Sequence, residues 1–149
     1  MAYADVKARL LVHAQTAAAA VTPPIDDVQI AFPLPKSECV RVYYGGETEP
    51  RRLARYTLGN ELVGKITNIA MFLPITTLDE ELAKALDLRG EAFVHALRTA
   101  VDADTDLATA GDNTTLEWAE FDIVVVGNTR FLYCLVPAVT DYIEYPLAR

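Results

Sequence analysis

Residues 38–101 carry the pattern from which the architecture can be inferred: ECVRVYYGGETEPRRLARYTLGNELVGKITNIAMFLPITTLDEELAKALDLRGEAFVHALRTAV. The apolar stretch Glu38–Tyr44 predicts a strand that stops at Gly45-Gly46. A charged, polar arm follows over residues 47–60. Lys65–Leu73 predicts a second apolar strand, which a proline ends. Strand, arm and strand, followed by a helix, form one supersecondary unit.

A long amphipathic helix, Leu78–Val101, is predicted after the second strand. Thr77 and Glu80 match a capping box, in which each side chain bonds the backbone amide of the other residue. Gly90 falls on the apolar stripe of this helix and costs about 1 kcal/mol relative to alanine, so close approach to the sheet is the expected reason for it. The stripe comprises Leu82, Leu86, Phe93, Leu97 and Val101. This helix should therefore pack on the sheet.

The N-terminal part of the chain adds one more helix. Residues 1–22 predict an N-terminal helix, most clearly over Ala4–Ala20, where apolar residues recur at spacings of three and four. Two prolines end it. The following segment is rich in proline, so at most a short edge strand forms around Val28–Phe32.

The C-terminal part adds a hairpin. Residues 102–115 are rich in Asp, Thr and Ala and are expected to form a surface loop. Beyond the loop, Trp118–Val126 and Arg130–Val136 flank Gly127-Asn128, which is a strong signal for a two-residue turn. Pro137 is expected to break the second of these strands.

Together these elements predict a single α+β domain over residues 1–149. Its mostly antiparallel, mixed sheet would carry an N-terminal helix and a long central helix. Ile123–Val126 and Phe131–Val136 are apolar at both alternating positions, so both faces of these strands must be covered. The two helices could cover the two faces within one subunit, or a second subunit could cover one face. The sequence leaves these alternatives open.

The composition of the chain disfavours several classes of protein, among them DNA-binding and membrane-spanning proteins. The chain has 13 Lys+Arg against 21 Asp+Glu, a net charge of −8, whereas proteins that grip DNA neutralise phosphates with clustered basic side chains. Cys39 and Cys134 both lie in apolar strand candidates. Two buried thiols can remain reduced as small apolar side chains, so a disulfide between them is possible but not required. The sequence contains no apolar run long enough to span a membrane and no secretory signal, so synthesis in the cytoplasm is expected.

The sequence offers no constellation of catalytic or metal-ligating residues, and no cofactor is expected. Asp102–Asp106 imitates the first half of a calcium loop. Leu107 and Asn113 stand where that loop needs a glycine and a bidentate acid, so a solvated loop is expected. His13 and His95 lie in different helices with no second ligand at metal-binding spacing. We therefore expect a protein that is not an enzyme.

The arm is unusual in so acidic a chain. Arg51, Arg52 and Arg55 place three of the 13 basic residues within five positions. One interpretation is a solvated strand that guards a sheet edge from mispairing; the other is a docking arm that meets an acidic partner. In the second interpretation, Glu47 and Glu49 supply the reciprocal half of a contact between subunits. These five residues are the candidate interface.

Several packing positions and one helix start match the sequence pattern of a known protein family. They are Val40, Val42, Tyr43, Ile69, Phe72-Leu73-Pro74, Asp79–Leu82, Thr140, Tyr142, Ile143 and Tyr145. In this arrangement the chain resembles the tail-terminator proteins of long-tailed phages, that of phage lambda among them. The resemblance rests on packing residues rather than on a catalytic signature. It implies a virion protein that forms a ring, commonly hexameric, which stops the growth of the tail tube and joins the tail to the head.

The resemblance also implies partners. They are other copies of the chain, the tail tube protein and a head–tail connector or neck protein, with DNA passing through the lumen without specific binding and no membrane involved. The protein would be made in the host cytoplasm and reside in the virion, at the head–tail junction. The apolar hairpin and residues 146–149 depart from the family pattern. The alternatives are another neck or tail-completion protein, or a small ligand-binding or enzymatic α+β domain.

Overall fold

The computed structural model describes residues 2–48, 51–52, 61–107 and 113–144, with the backbone alone for residues 51–52, 61–62 and 143–144. These ranges hold two helices and seven strands, so the chain has the predicted α+β fold. In chain order the elements are α1 (Tyr3–Ala20), β1 (Val28–Ile30), β2 (Cys39–Glu47), β3 (Arg51–Arg52), β4 (Glu61–Pro74), α2 (Glu80–Asp102), β5 (Thr114–Leu116), β6 (Glu120–Val126) and β7 (Thr129–Glu144).

The strands form one mixed sheet. The order across it is β1-β2-β4-β7-β5, while β3 also pairs with β4 and β6 also pairs with β7. Only the β1–β2 pair is parallel among the described strands, and the other pairs are antiparallel. The mostly antiparallel sheet predicted from the sequence is confirmed. The sheet has β1 at one side, and β5 and β6 share the other.

Both helices pack on the same face of the sheet, which we call the helical face. This settles how the apolar strands are covered within the subunit: the two helices do not divide the two faces between them. The main core lies here and joins Val6, Leu10 and Ala14 of α1, Leu86, Phe93, Leu97 and Val101 of α2, and Val40, Ile69, Met71 and Val136 of the sheet. The predicted α2 stripe is therefore buried as expected, with Leu82 partly buried at its start.

The opposite face of the sheet, which we call the outer face, carries a second apolar cluster. Its buried members are Cys39, Ala70, Phe72 and Phe131, and the partly buried ones are Tyr43, Val124, Val126, Tyr133 and Leu135. The rings of Phe72 and Phe131 meet edge to face with centroids 6.1 Å apart. Cys134 belongs to the helical face and Cys39 to the outer face, so the two free thiols lie on opposite sides of the sheet.

The start of α2 differs from the predicted capping box. The helix begins at Glu80, and Asp79 is its N-cap, with a carboxylate oxygen that accepts from the backbone N–H of Glu81 at 3.0 Å. Thr77 lies two residues before the cap. Aspartate is as good an N-cap as threonine, and its negative charge also complements the helix dipole, so the prediction of a Thr77–Glu80 box was wrong.

Gly45-Gly46 does not stop the first predicted strand. β2 continues to Glu47 through a bulge between Tyr44 and Gly46. Gly46 has a φ of 100°, a conformation that glycine adopts without steric penalty. The glycines therefore let the strand pass an irregularity rather than end it.

Pro137 likewise does not break β7. Its carbonyl oxygen accepts from the N–H of Glu117 at 2.8 Å, on the side away from β4. In an antiparallel strand the N–H and C=O of one residue point the same way, so the missing N–H of Pro137 also points outward. At that level the outer neighbour changes from β6, which ends its pairing at Leu135, to β5, which begins at Ala138. The proline thus costs no bond to β4.

Candidate assembly surfaces

Strand β6 forms part of one edge of the sheet and exposes apolar side chains. Among the described strands it pairs with β7 alone. Phe121, Ile123 and Val125 alternate along its helical face and are 50%, 60% and 64% exposed. Edge strands are usually protected by charges or prolines because their unpaired backbone groups can bind another chain. An exposed apolar edge of this kind is typical of an interaction surface.

A groove of about 630 Å³ lies between β6 and the beginning of α2. Leu78, the residue before the cap of α2, is 93% exposed beside it. The groove has a mainly apolar lining that includes Leu78, Leu82, Leu86, Phe121, Ile123 and Leu132. Its ionisable lining residues are Asp79, Glu80, Asp87 and Arg130, three acids and one base. We call this surface the α2–β6 groove.

Gly90 sets the contact between the two walls of the groove. A Cβ atom at Gly90 would lie 2.8 Å from Cε1 of Phe121, so the ring occupies the space that the missing side chain leaves. The close approach to the sheet that the sequence predicts for Gly90 is confirmed. The groove extends from this contact toward the first turns of α2.

The opposite edge of the sheet exposes a short apolar segment after β1. Phe32 and Leu34 are 72% and 73% exposed. The rings of Phe32 and Tyr43 meet edge to face with centroids 6.0 Å apart. Lys36 is exposed and follows directly after Pro35. We call residues 31–36, Ala-Phe-Pro-Leu-Pro-Lys, the β1 segment.

The predicted interface arm lies only partly within the described residues. Glu47 ends β2 and is exposed, opposite Lys65 of β4. The backbones of Arg51 and Arg52 form β3 and pair with Leu62 and Glu61 of β4. Glu49 and Arg55 fall outside the described residues. The structure therefore places three of the five candidates along one β ribbon.

A buried polar cluster ties α1 to the segment after α2. The Asp104 carboxylate accepts from Nε and Nη2 of Arg9 at 2.9 and 2.6 Å, and lies 2.6 Å from Nε2 of His13. The guanidinium of Arg9 holds the pKa of Asp104 well below its usual range, and His13 adds to this effect. The prediction of a solvated loop is wrong at Asp104, which is buried, since its charge is paired rather than hydrated.

The sequence predicts that the apolar hairpin strand over Ile123–Val126 must be covered on both faces, but it predicts neither the groove beside that strand nor the β1 segment as an interaction surface. Pro33 and Pro35 were used only to limit the edge strand expected around Val28–Phe32, although the alternation of apolar and proline residues over 32–35 is a visible signal. The groove has no comparable signal, because its walls come from segments about 40 residues apart in the chain, as Leu82 and Ile123 show. A contact of that separation depends on the fold and not on local pattern.

No protein-family model matches the sequence, and no curated protein does either. Within the described residues, no three His, Cys, Asp or Glu side chains come together in a way that could hold a metal ion. No helix in the same residues is long and apolar enough to cross a membrane.

Proposed function

We propose that this chain is a structural virion protein, the tail terminator of a long-tailed phage. Copies of it form a ring, most simply a hexamer, which caps the tail tube, stops its growth and joins the tail to the head through a neck protein. In this proposal the chain is not an enzyme and needs no cofactor.

The observation that carries the proposal is the exposed apolar strand β6 with the groove beside it. Phe121, Ile123 and Val125 are each at least half exposed on a chain of which 52% is apolar. A subunit that works alone gains nothing from such a surface and risks aggregation. A subunit that assembles buries it. The resemblance of the packing positions to the tail-terminator family then selects the kind of assembly.

Charge is consistent with a lumen through which DNA passes. Each subunit carries a net charge of −8, so a ring would repel the phosphate backbone and leave the duplex mobile. A neck component that must release DNA during ejection is expected to have this property.

Tail length tests the proposal. Phage particles that lack the protein should carry tails of uncontrolled length without attached heads, as seen by negative-stain electron microscopy. Expression of the wild-type protein in trans is the control and should restore the normal length. Tails of normal length that fail to join heads would assign the chain to another neck or tail-completion role. Normal, infectious particles would overturn the proposal.

A further inference from the structure

The two edges of the sheet carry surfaces of opposite shape. On the β1 side, Phe32 and Leu34 project from a short segment, and on the β6 side the α2–β6 groove is concave. A protein that carries a projection and a matching cavity on different patches can associate head to tail. Such contacts close into a ring when the rotation between neighbours allows it.

Two prolines restrain the backbone of the β1 segment before it binds. Phe32 precedes Pro33 and Leu34 precedes Pro35, and a residue before proline is restricted to extended conformations. Phe32 and Leu34 are exposed, while Pro33 is half-buried and Pro35 is buried, so both apolar side chains lie on the solvent side of the segment. A segment that is already restrained loses little conformational entropy on binding.

The groove suits such a segment in its apolar lining and its charge. Its walls include Leu82, Leu86 and Ile123, against which Phe32 and Leu34 can pack. Asp79, Glu80 and Asp87 make its ionisable lining mainly acidic. Lys36 is the one charged residue of the β1 segment. The acidic groove and the basic end of the segment are therefore complementary, which favours correct orientation.

We infer that the β1 segment of one copy binds in the α2–β6 groove of the next copy. This inference rests on the ring of the proposed function and assigns the contact that builds it. Phe32 and Leu34 supply the buried apolar area, while Lys36 meets the acids at the start of α2. The groove is filled by a neighbouring subunit and not by a small ligand.

Site-directed cross-linking tests the contact. Leu34→Cys and Ile123→Cys are made in separate proteins, and both positions are exposed. Cys39 and Cys134 are buried, so the native thiols should not interfere. In the first sample, the two purified variants are mixed at high concentration under mild oxidation. In the second sample, tails are purified from cells that make both variants and are then oxidised in the same way. The mixed disulfide should form in both samples, and neither variant alone should form a dimer because each carries one half of the contact.

Three results would contradict the inference. A ring detected by native mass spectrometry without the mixed disulfide would overturn this contact and leave the proposed function intact. Cross-linking of either variant alone as readily as the mixture would also overturn it, since that requires a symmetric contact. Protein that stays monomeric in solution and is missing from purified tails would overturn the contact and the proposed function together.

A substitution series gives a second measurement. Phe32→Ser should abolish the ring in native mass spectra while circular dichroism remains that of the wild type. Val12→Ser is the matched control, because Val12 is an apolar residue of α1, 56% exposed, that belongs to neither surface. It should assemble as the wild type does. A Phe32→Ser protein that forms rings normally would refute the role of the segment.

Discussion

Asp104 shows how one buried charge fixes the position of a helix. Its carboxylate is 3% exposed and bonded to Arg9 and His13 of α1, while the backbone N–H of Asp106 also donates to it at 3.1 Å. Arg9 and His13 lie in the middle of α1 and Asp104 lies two residues after α2, so this cluster is a specific tie between α1 and the end of α2. The carboxylate is satisfied only while both segments are in place.

We expect Asp104→Asn to lower the free energy of unfolding by about 1.5–3 kcal/mol at neutral pH, the usual range for hydrogen bonds to a charged group. The pKa of Asp104 is lowered from 3.8 by folding, so its stabilisation is present above about pH 4 and is lost as the pH falls below that value. The difference between variant and wild type should therefore shrink in acid. Urea denaturation of the variant and the wild type, at neutral pH and again below about pH 4, measures this difference in the free energy of unfolding.

Asp106→Asn is the control for this prediction. The Asp106 carboxylate is 62% exposed and lies 3.2 Å from Arg9, so its substitution should change stability by no more than about 0.5 kcal/mol. Equal effects of the two substitutions would mean that burial does not strengthen the Asp104 cluster.

Gly90 and Phe121 should be energetically coupled. Alanine at Gly90 gains about 1 kcal/mol of helix propensity, but its Cβ must displace the Phe121 ring, which lies 2.8 Å away. In a Phe121→Ala background that displacement is unnecessary. Gly90→Ala should therefore stabilise the Phe121→Ala protein by about 1 kcal/mol and the wild type by less. A double-mutant cycle by chemical denaturation measures the difference, and identical gains would show that the ring moves aside at no cost.

At the scale of elements, the interior of α2 should dominate stability. Phe93 is fully buried between the helices and the sheet, so Phe93→Ala should cost about 3–5 kcal/mol. Leu88→Ala on the same helix is the control, because Leu88 is 65% exposed and its loss should cost no more than about 0.5 kcal/mol. Both are measured by urea denaturation, and a loss under 1 kcal/mol at Phe93 would contradict the core that we describe.

Periodicity predicted the elements well because it reflects burial directly. The stripe of α2 was found for this reason, whereas the hairpin was predicted from the turn-forming residues Gly127-Asn128. The ends of strands, and the irregularities within them, were predicted less well. Gly46 and Pro137 are local signals of a break, yet a bulge and an outward-facing backbone position absorb them within longer strands. That outcome depends on the neighbouring strands, which local sequence does not specify.

The arm gives a prediction that rests on its charge. Replacement of Arg51, Arg52 and Arg55 by glutamate should leave the circular dichroism spectrum unchanged but prevent capping of tail tubes. The wild-type association should weaken as salt rises, because screening reduces contacts between charged partners. Lys84→Glu, on the exposed side of α2, is the control and should assemble normally. A triple variant that caps tubes would leave these arginines the role of a solvated strand edge.

At the scale of the whole molecule, acidity should exclude tight binding of DNA. The purified protein, with a net charge of −8, should not bind duplex DNA at physiological salt. It should also gain no affinity as salt is lowered, whereas a protein that neutralises phosphates gains strongly. Fluorescence anisotropy with a labelled duplex measures both. Affinity that rises steeply at low salt would mean that a basic surface contacts the backbone despite the net charge.

The two cysteines make each side of the sheet separately observable. Burial raises the pKa of both thiols, that of Cys134 to about 12, so little reactive thiolate exists at neutral pH. An alkylating reagent can modify Cys39 only after the outer face opens and Cys134 only after the helices move away. The order of modification, read by mass spectrometry, therefore reports which layer opens first. In an intact particle, slower alkylation of Cys39 alone would identify the outer face as the side that neighbouring proteins cover.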